Sequence, residues 1–308
     1  MQKAPPTPKG FRDINPELAR KRRTVINKII EVLEEFGFEP LETPTIEFAE
    51  TLKGKYGEEE RLIYEFTDRG GRKLALRYDL TVPLARYVAA NPSLEMPFRR
   101  WQAGQVFRGE NPQHGRYREF TQLDFDTVGS SDFKEDAKII AAALKSAKAI
   151  GLQNPLMKIN DRKIFKDLGK EVIVALDKLE KVGEQKVIQE LVKKGHPKSN
   201  ASSILQSMKD KKPSAHLQEI FKNLQNLGVN KKEYTFDPYL ARGLDYYTGA
   251  IFELKPNDDP KELSIGSGGR YDNLIGMFVY PDKGGTKKQI PAVGFSFVID
   301  RLIEAIRQ

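Results

Sequence analysis

Three arginines, Arg108, Arg116 and Arg118, fall in the stretch FRGENPQHGRYREF together with Glu110 and Phe120. A guanidinium carries a permanent charge and presents planar, paired donors, which match phosphate oxygens. A nearby ring could stack on a base, and a carboxylate could accept from an exocyclic amine. The same residues would equally make a surface hairpin laced with cross-strand ion pairs. A second stretch, ARGLDYYTGAIFE, sets Arg242 and Asp245 beside Tyr246 and Tyr247. Strand alternation would send those two rings to opposite faces, one into the core and one onto a wall. Along TQLDFDTVG, Gln122, Asp124 and Asp126 share a strand face, which puts two carboxylates and an amide side by side.

Other chemistries find no support. Cysteine is absent, so a disulfide scaffold, a thiolate zinc site and a cysteine nucleophile are excluded. The histidines His114, His196 and His216 are widely spaced, which suggests neither a metal cluster nor a histidine base, and no metal ligands are expected. GSGGRYDNLIG carries neither a phosphate-loop nor a dinucleotide fingerprint and reads as a glycine-rich turn. What remains is positioning and charge stabilisation around phosphates by arginines and carboxylates.

The elements that would position these residues follow from periodicity and punctuation. Asn15-Pro16 reads as a helix start, and Val25, Ile26, Ile29, Ile30, Val32, Leu33 and Phe36 recur at helical spacing up to a stop at Gly37. FEPLETPTIE, with Pro40 and Pro44, suits an edge strand or an interface. RLIYEFTD and RKLALRYDL flank Arg69-Gly70-Gly71 as a hairpin; alternation in the second run would set Leu74, Leu76 and Tyr78 against Arg77 and Asp79. WQAGQVFR should pair with YREFTQLDFDTVG across the loop GENPQHG. Lys134–Gly151 reads as a helix, and Ile164 to Leu227 as amphipathic helices broken at Gly195-His196-Pro197 and Lys212-Pro213. Strand signals return at YTFDPYLARGLDYYTGAIFEL, and VIDRLIEAI closes as a helix. Hairpins outnumber βαβ units, so an α+β class with an antiparallel sheet is expected, with the helical block inserted into it.

The 308 residues suggest two units, or one large domain with an insertion. The net charge is +8, and between Asp161 and Thr235 there are 16 Lys+Arg against 10 Asp+Glu. Such a block is either a solvated helical surface or a face for nucleic acid phosphates. The longest aliphatic stretch, Ile139–Leu144, is far below the ~18 residues of a membrane helix. MQKAPPTPKGF lacks the apolar centre of a signal peptide, so a cytoplasmic protein with no membrane association is expected.

Taken in order from PKGFRD at Pro8 to the final helix, the segments LRYDLTVPLARY, FRGENPQHGRYREFTQLDFD and RGLDYYTG resemble those of histidyl-tRNA synthetases, which are class II aminoacyl-tRNA synthetases. The resemblance implies a class II antiparallel sheet flanked by helices. Residues 1–161 would form the first part of the catalytic domain, 162–232 a basic helical insertion, and 233–308 the second part. It implies that Arg108 holds the α-phosphate of ATP and the amino acid carboxylate. Glu110 would read the adenine amine, Phe120 would stack on adenine, and Arg116 and Arg301 would hold the β- and γ-phosphates. Arg242 would be the catalytic arginine at the α-phosphate. Histidine would be held by Asp79, Thr81, Gln122, Asp126, Tyr246, Tyr247 and Tyr271, and Pro44 would sit at a homodimer interface. Magnesium would accompany the triphosphate, and the acceptor end of tRNA(His) would be the second substrate.

The family continues past the final motif with an anticodon-binding domain, whereas this sequence stops at Gln308, so adenylate formation with weak tRNA charging is expected. Two other readings share the core: a non-catalytic, histidine-sensing regulatory subunit of ATP phosphoribosyltransferase, and a pseudo-synthetase domain that senses uncharged tRNA. Against both stand Arg108, Glu110, Arg116, Arg242 and Arg301, which a sensor has no physical need to aim at ATP.

Overall fold

Asn15 accepts from the Leu18 amide and Pro16, which has no N–H, takes the first helical position, so α1 (Pro16–Glu35) begins with a built N-cap. It buries Val25, Ile29, Val32 and Leu33 and ends before Gly37, at φ +79°. Both boundaries match the sequence expectation. The structure, a computed structural model, describes residues 5–113, 115–241, 246–259, 262–279 and 289–306.

Among these residues an eight-stranded sheet runs in the order β1 (Glu39–Pro40), β5 (Phe98–Phe107), β6 (Glu119–Val128), β11 (Ala292–Val298), β10 (Gly266–Arg270), β9 (Ala250–Lys255), β7 (Leu156–Asp161) and β8 (Tyr234–Phe236). Its pairings are antiparallel except at the two edges, where β1 joins β5 and β8 joins β7 in parallel. Pro40 thus lies on an edge strand, where a missing N–H costs no ladder bond. A small sheet orders β2 (Ile46–Phe48), β4 (Lys73–Leu76) and β3 (Glu65–Thr67).

The two faces of the large sheet differ because the side-chain period is two. On one face Leu123, Phe125, Phe252, Leu254, Phe295 and Phe297 are buried under α1, α4 (Phe133–Ala149), α9 (Ala215–Asn226) and α10 (Ile299–Ala305). On the other, the register aligns Gln102, Asp124, Ser296, Ser267, Glu253 and Lys158 in one polar row across six strands. Apolar clusters cover parts of this second face, at Val128 and Ala292 and at Ile251, and the polar row between them stays available for a ligand.

The remaining helices are α2 (Ala49–Leu52), α3 (Thr81–Ala90), α5 (Lys170–Leu176), α6 (Leu179–Val182), α7 (Glu184–Lys193) and α8 (Lys198–Lys209). Helices α5, α7 and α8 share an apolar cluster of Val172, Leu176, Val187, Leu191, Leu205 and Met208, closed by Leu240 and by Ile251 of β9. Helix α9 instead packs Leu217, Ile220 and Leu224 into the main core. The two breaks read from glycine and proline are present, at Gly195 (φ +94°) and ahead of Ser214, which caps α9, but the chain also breaks at Asp177-Lys178 and at Gly183. No helix among the described residues is long and apolar enough to cross a membrane.

Two local expectations need correction. GSGGR is not a turn but strand β10. Its glycines serve close packing: a Cβ on Gly268 would run into the Gly294 carbonyl, and one on Gly269 would lie 2.8 Å from the Tyr247 ring. Gly268→Ala is therefore expected to destabilise the fold by about 1–3 kcal/mol, read from the urea midpoint. In the other case β4 ends at Leu76, so alternation stops there and Tyr78 and Asp79 are both buried.

Candidate active site

The polar face of the sheet opens into a cleft of about 760 Å³. One end is built around two carboxylates. As the chain leaves β4 it turns into α3, and Asp79 Oδ1 accepts the Thr81 and Val82 amides at 3.1 and 2.9 Å. Tyr56 donates its hydroxyl to the same oxygen at 3.0 Å, while Asp79 Oδ2 is buried without a hydrogen-bond partner. Burial pushes the Asp79 carboxyl above its usual range, against the pull of those bonds and of Arg108. An acceptor in that state is matched to an incoming cationic donor.

Asp126 is held by a different set of groups. Tyr271 donates to Oδ1 at 2.6 Å, and Arg100, fully buried, sits 2.7 Å from Oδ2 while also donating to the Leu80 carbonyl at 3.1 Å. Burial raises this carboxyl too, with Arg100 opposing. Gly294 faces it across the strand pair, because a Cβ there would overlap the carboxylate. Tyr246 and Tyr247 complete this end. They lie ahead of β9 and outside any strand, so the expected split between two faces does not occur: the rings meet edge to face with centroids 5.1 Å apart, and both line the cleft. Tyr246 also hydrogen-bonds Thr81 and lies 6.0 Å from the Tyr271 ring.

The other end is cationic. Arg108 donates from Nε to the Tyr78 carbonyl (3.2 Å) and from Nη2 to Gln122 Oε1 (3.4 Å). Its guanidinium lies over the Tyr78 and Phe120 rings, 4.4 and 5.1 Å from their centroids. Burial alone would lower its pKa, but Tyr78, Glu59, Asp79 and Glu110 outweigh that and raise it. Arg116 reaches Glu110 only at 3.7 Å and is 43% exposed, a pair too weak to compete with a phosphate. Arg301 of α10 donates to the Gly115 and Ser264 carbonyls at 3.2 and 3.0 Å, tying the hairpin tip to the segment entering β10. Arg118 instead points out of the cleft and donates to the Glu110 carbonyl at 2.9 Å.

Asp79, Thr81, Arg108, Glu110, Arg116, Phe120, Gln122, Asp126, Tyr246, Tyr247, Tyr271 and Arg301 thus all line one cleft. Arg242 lies outside the described residues. Glu59, Ser267 and Ser296 also line it, and no sequence signal marks them. Asp124 was visible as one of two carboxylates on a face, but not as a site residue. It is 2% exposed, and Gln122, which donates to Ser296, also donates to Asp124 Oδ1 at 3.4 Å. Burial, opposed by Arg100 and aided by Asp126, pushes the Asp124 carboxyl from 3.8 to about 7.

That shift has a defined sign. A carboxyl raised in the folded state binds more protons folded than unfolded, so its contribution to stability falls as pH climbs from 3.8 to about 7. Asp124→Asn removes the titration. The Tm of the variant relative to wild type is expected to rise between about pH 5 and about pH 8 by calorimetry. A constant difference would contradict the assignment.

An antiparallel sheet whose polar face carries an arginine-bearing hairpin and a final strand–helix unit is the fold of class II aminoacyl-tRNA synthetases. The crystal structure of histidyl-tRNA synthetase from Nostoc sp. PCC 7120 superposes at a TM-score of 0.83, with 31% identity, over 99% of this chain and 76% of that one. A family model described as Histidyl-tRNA synthetase matches residues 10–208 and 173–302, and the chain belongs to that family. A histidine–tRNA ligase of Aeropyrum pernix is 41% identical over 98% of this chain and 74% of its own length. A Bacillus halodurans protein described as an ATP phosphoribosyltransferase regulatory subunit/histidyl-tRNA synthetase shares the fold at a TM-score of 0.82 with 23% identity, over 100% of this chain and 85% of that one.

Proposed function

We propose that the chain activates histidine with ATP to histidyl-adenylate and transfers the histidyl group to the 3′ end of tRNA(His). The observation that carries this reading is the joining of a carboxylate pocket and an arginine-lined end in one cleft, with Arg108 bonded to Gln122 where they meet. Asp79 and Asp126 hold the histidine ammonium and imidazole with Thr81, Gln122, Tyr246, Tyr247 and Tyr271 around them. Phe120 stacks on adenine, Glu110 accepts from its amine, and Arg116 and Arg301 bind the β- and γ-phosphates. Arg108, and Arg242 with it, neutralise the α-phosphate as the histidine carboxylate attacks it in line and pyrophosphate leaves. The protein supplies orientation and a cationic cage, with no covalent nucleophile of its own.

Magnesium enters as part of the nucleotide substrate. There it would neutralise triphosphate charge alongside Arg116 and Arg301. In the second step the terminal ribose hydroxyl of tRNA attacks the adenylate carbonyl, the bond from that carbonyl to phosphate breaks and AMP leaves, and the basic helices of residues 162–232 face the tRNA phosphates. Exposed Ile46, Phe48 and Phe66 on the small sheet, beside exposed Pro44, support a homodimer there. The setting is the cytoplasm. Incubation with α-labelled ATP and each amino acid in turn tests the reading: labelled aminoacyl-adenylate is expected with histidine alone. Equal label with glutamine or asparagine would overturn the specificity.

A further inference from the structure

We propose that the N-terminal arm, residues 8–13, positions the nucleotide end of the cleft, with Arg12 as its main positioning residue. This rests on reading the hairpin loop as the ATP site. The arm turns at Gly10, where the Phe11 amide donates to the Pro8 carbonyl at 3.0 Å and φ is +89°. The Gly10 carbonyl accepts from the Arg118 amide at 2.9 Å, and Arg118 in turn grips the Glu110 carbonyl. No side chain fits at Gly10: a Cβ would stand 2.7 Å from Arg118 Cγ and 2.9 Å from Pro112 Cγ. The arm is therefore packed onto the loop that carries Glu110 and Arg116.

Arg12 makes the second connection. Its guanidinium lies 3.6 Å from the centroid of the Tyr117 ring, in the same loop, and forms an ion pair with Asp300. Asp300 is 2% exposed, precedes Arg301 in α10, and accepts the Thr121 amide at 3.2 Å, next to Phe120. Arg12 and Asp300 together thus join the loop, the return strand and the helix that present Arg116, Phe120 and Arg301. The histidine end is braced by other groups, Tyr56, Arg100 and Tyr271.

Asp300 is also paired with Arg22 of α1, which donates to Thr121 Oγ1 at 2.6 Å. Removing Arg12 therefore leaves the buried carboxylate partnered, and the fold survives while the loop loses its brace.

Arg12→Ala and Tyr117→Leu test this in histidine-dependent ATP–pyrophosphate exchange, with calorimetric ATP titration and Tm measured in parallel. In both variants the KM and Kd for ATP should rise about tenfold, with the KM for histidine within about twofold and Tm nearly constant. Arg12→Lys, which keeps the charge but not the planar stack, should recover part of the loss. Unchanged ATP affinity in both variants would overturn the proposal. So would a joint worsening of both KM values and Tm, which is the signature of a purely structural residue. A wild type that binds ATP without exchange would sink the catalytic reading alone, and the ATP Kd of the variants would still decide for or against the arm.

Discussion

Arg108→Ala is expected to lower histidine-dependent ATP–pyrophosphate exchange by a factor of about 10³. The guanidinium is held at both ends, by the Tyr78 carbonyl and Gln122, so it is positioned before substrate arrives. Preorganised charge of this kind acts on the transition state without reorganisation cost. Its loss is doubly unfavourable, because Glu59, Asp79 and Glu110 surround the position and would then face the triphosphate uncompensated. Histidine affinity, measured by calorimetry, should fall less, since Asp79 and Asp126 keep their places. A fall in exchange of less than about tenfold would show that Arg108 is not the α-phosphate ligand.

The second large effect falls on stability. Asp126→Ala strips the fully buried Arg100 of its carboxylate and Tyr271 of its acceptor. Breaking a buried ion pair typically costs about 3–5 kcal/mol, and the nearby Asp124 offsets part of that for Arg100. The urea midpoint of the variant should drop accordingly, and saturable histidine binding should be lost with it. A variant that stays within about 1 kcal/mol of wild type would mean that water or another group solvates Arg100, and the pairing would then not matter to the fold.

How far the site could be read in advance differs from residue to residue. Arg108, Glu110, Arg116 and Phe120 stand within one hairpin, so local spacing was enough to group them. Gln122 and Asp126 followed from alternation along a single strand, and β6 confirms that they share a face. Asp79 needed more: alternation along β4 failed because the strand ends at Leu76, and the chain turns so that the Asp79 carboxylate caps α3. Arg100 lay in a Phe-Arg-Arg run with the look of a surface, and its partner stands 26 positions away across a hairpin whose register the sequence does not display. The glycines of β10 misled for a related reason. Glycine signals either a turn or a close approach, and only the ring of Phe295 and the backbone of β11, both distant in sequence, show which. Local chemistry was legible; pairings that depend on sheet order were not.

Histidine-dependent ATP–pyrophosphate exchange by the purified chain tests the central claim most directly. The proposed site predicts exchange that requires histidine, saturates with ATP and collapses in Arg108→Ala. Tight histidine binding with no exchange at any ATP concentration would contradict it and leave a histidine sensor in place of an enzyme.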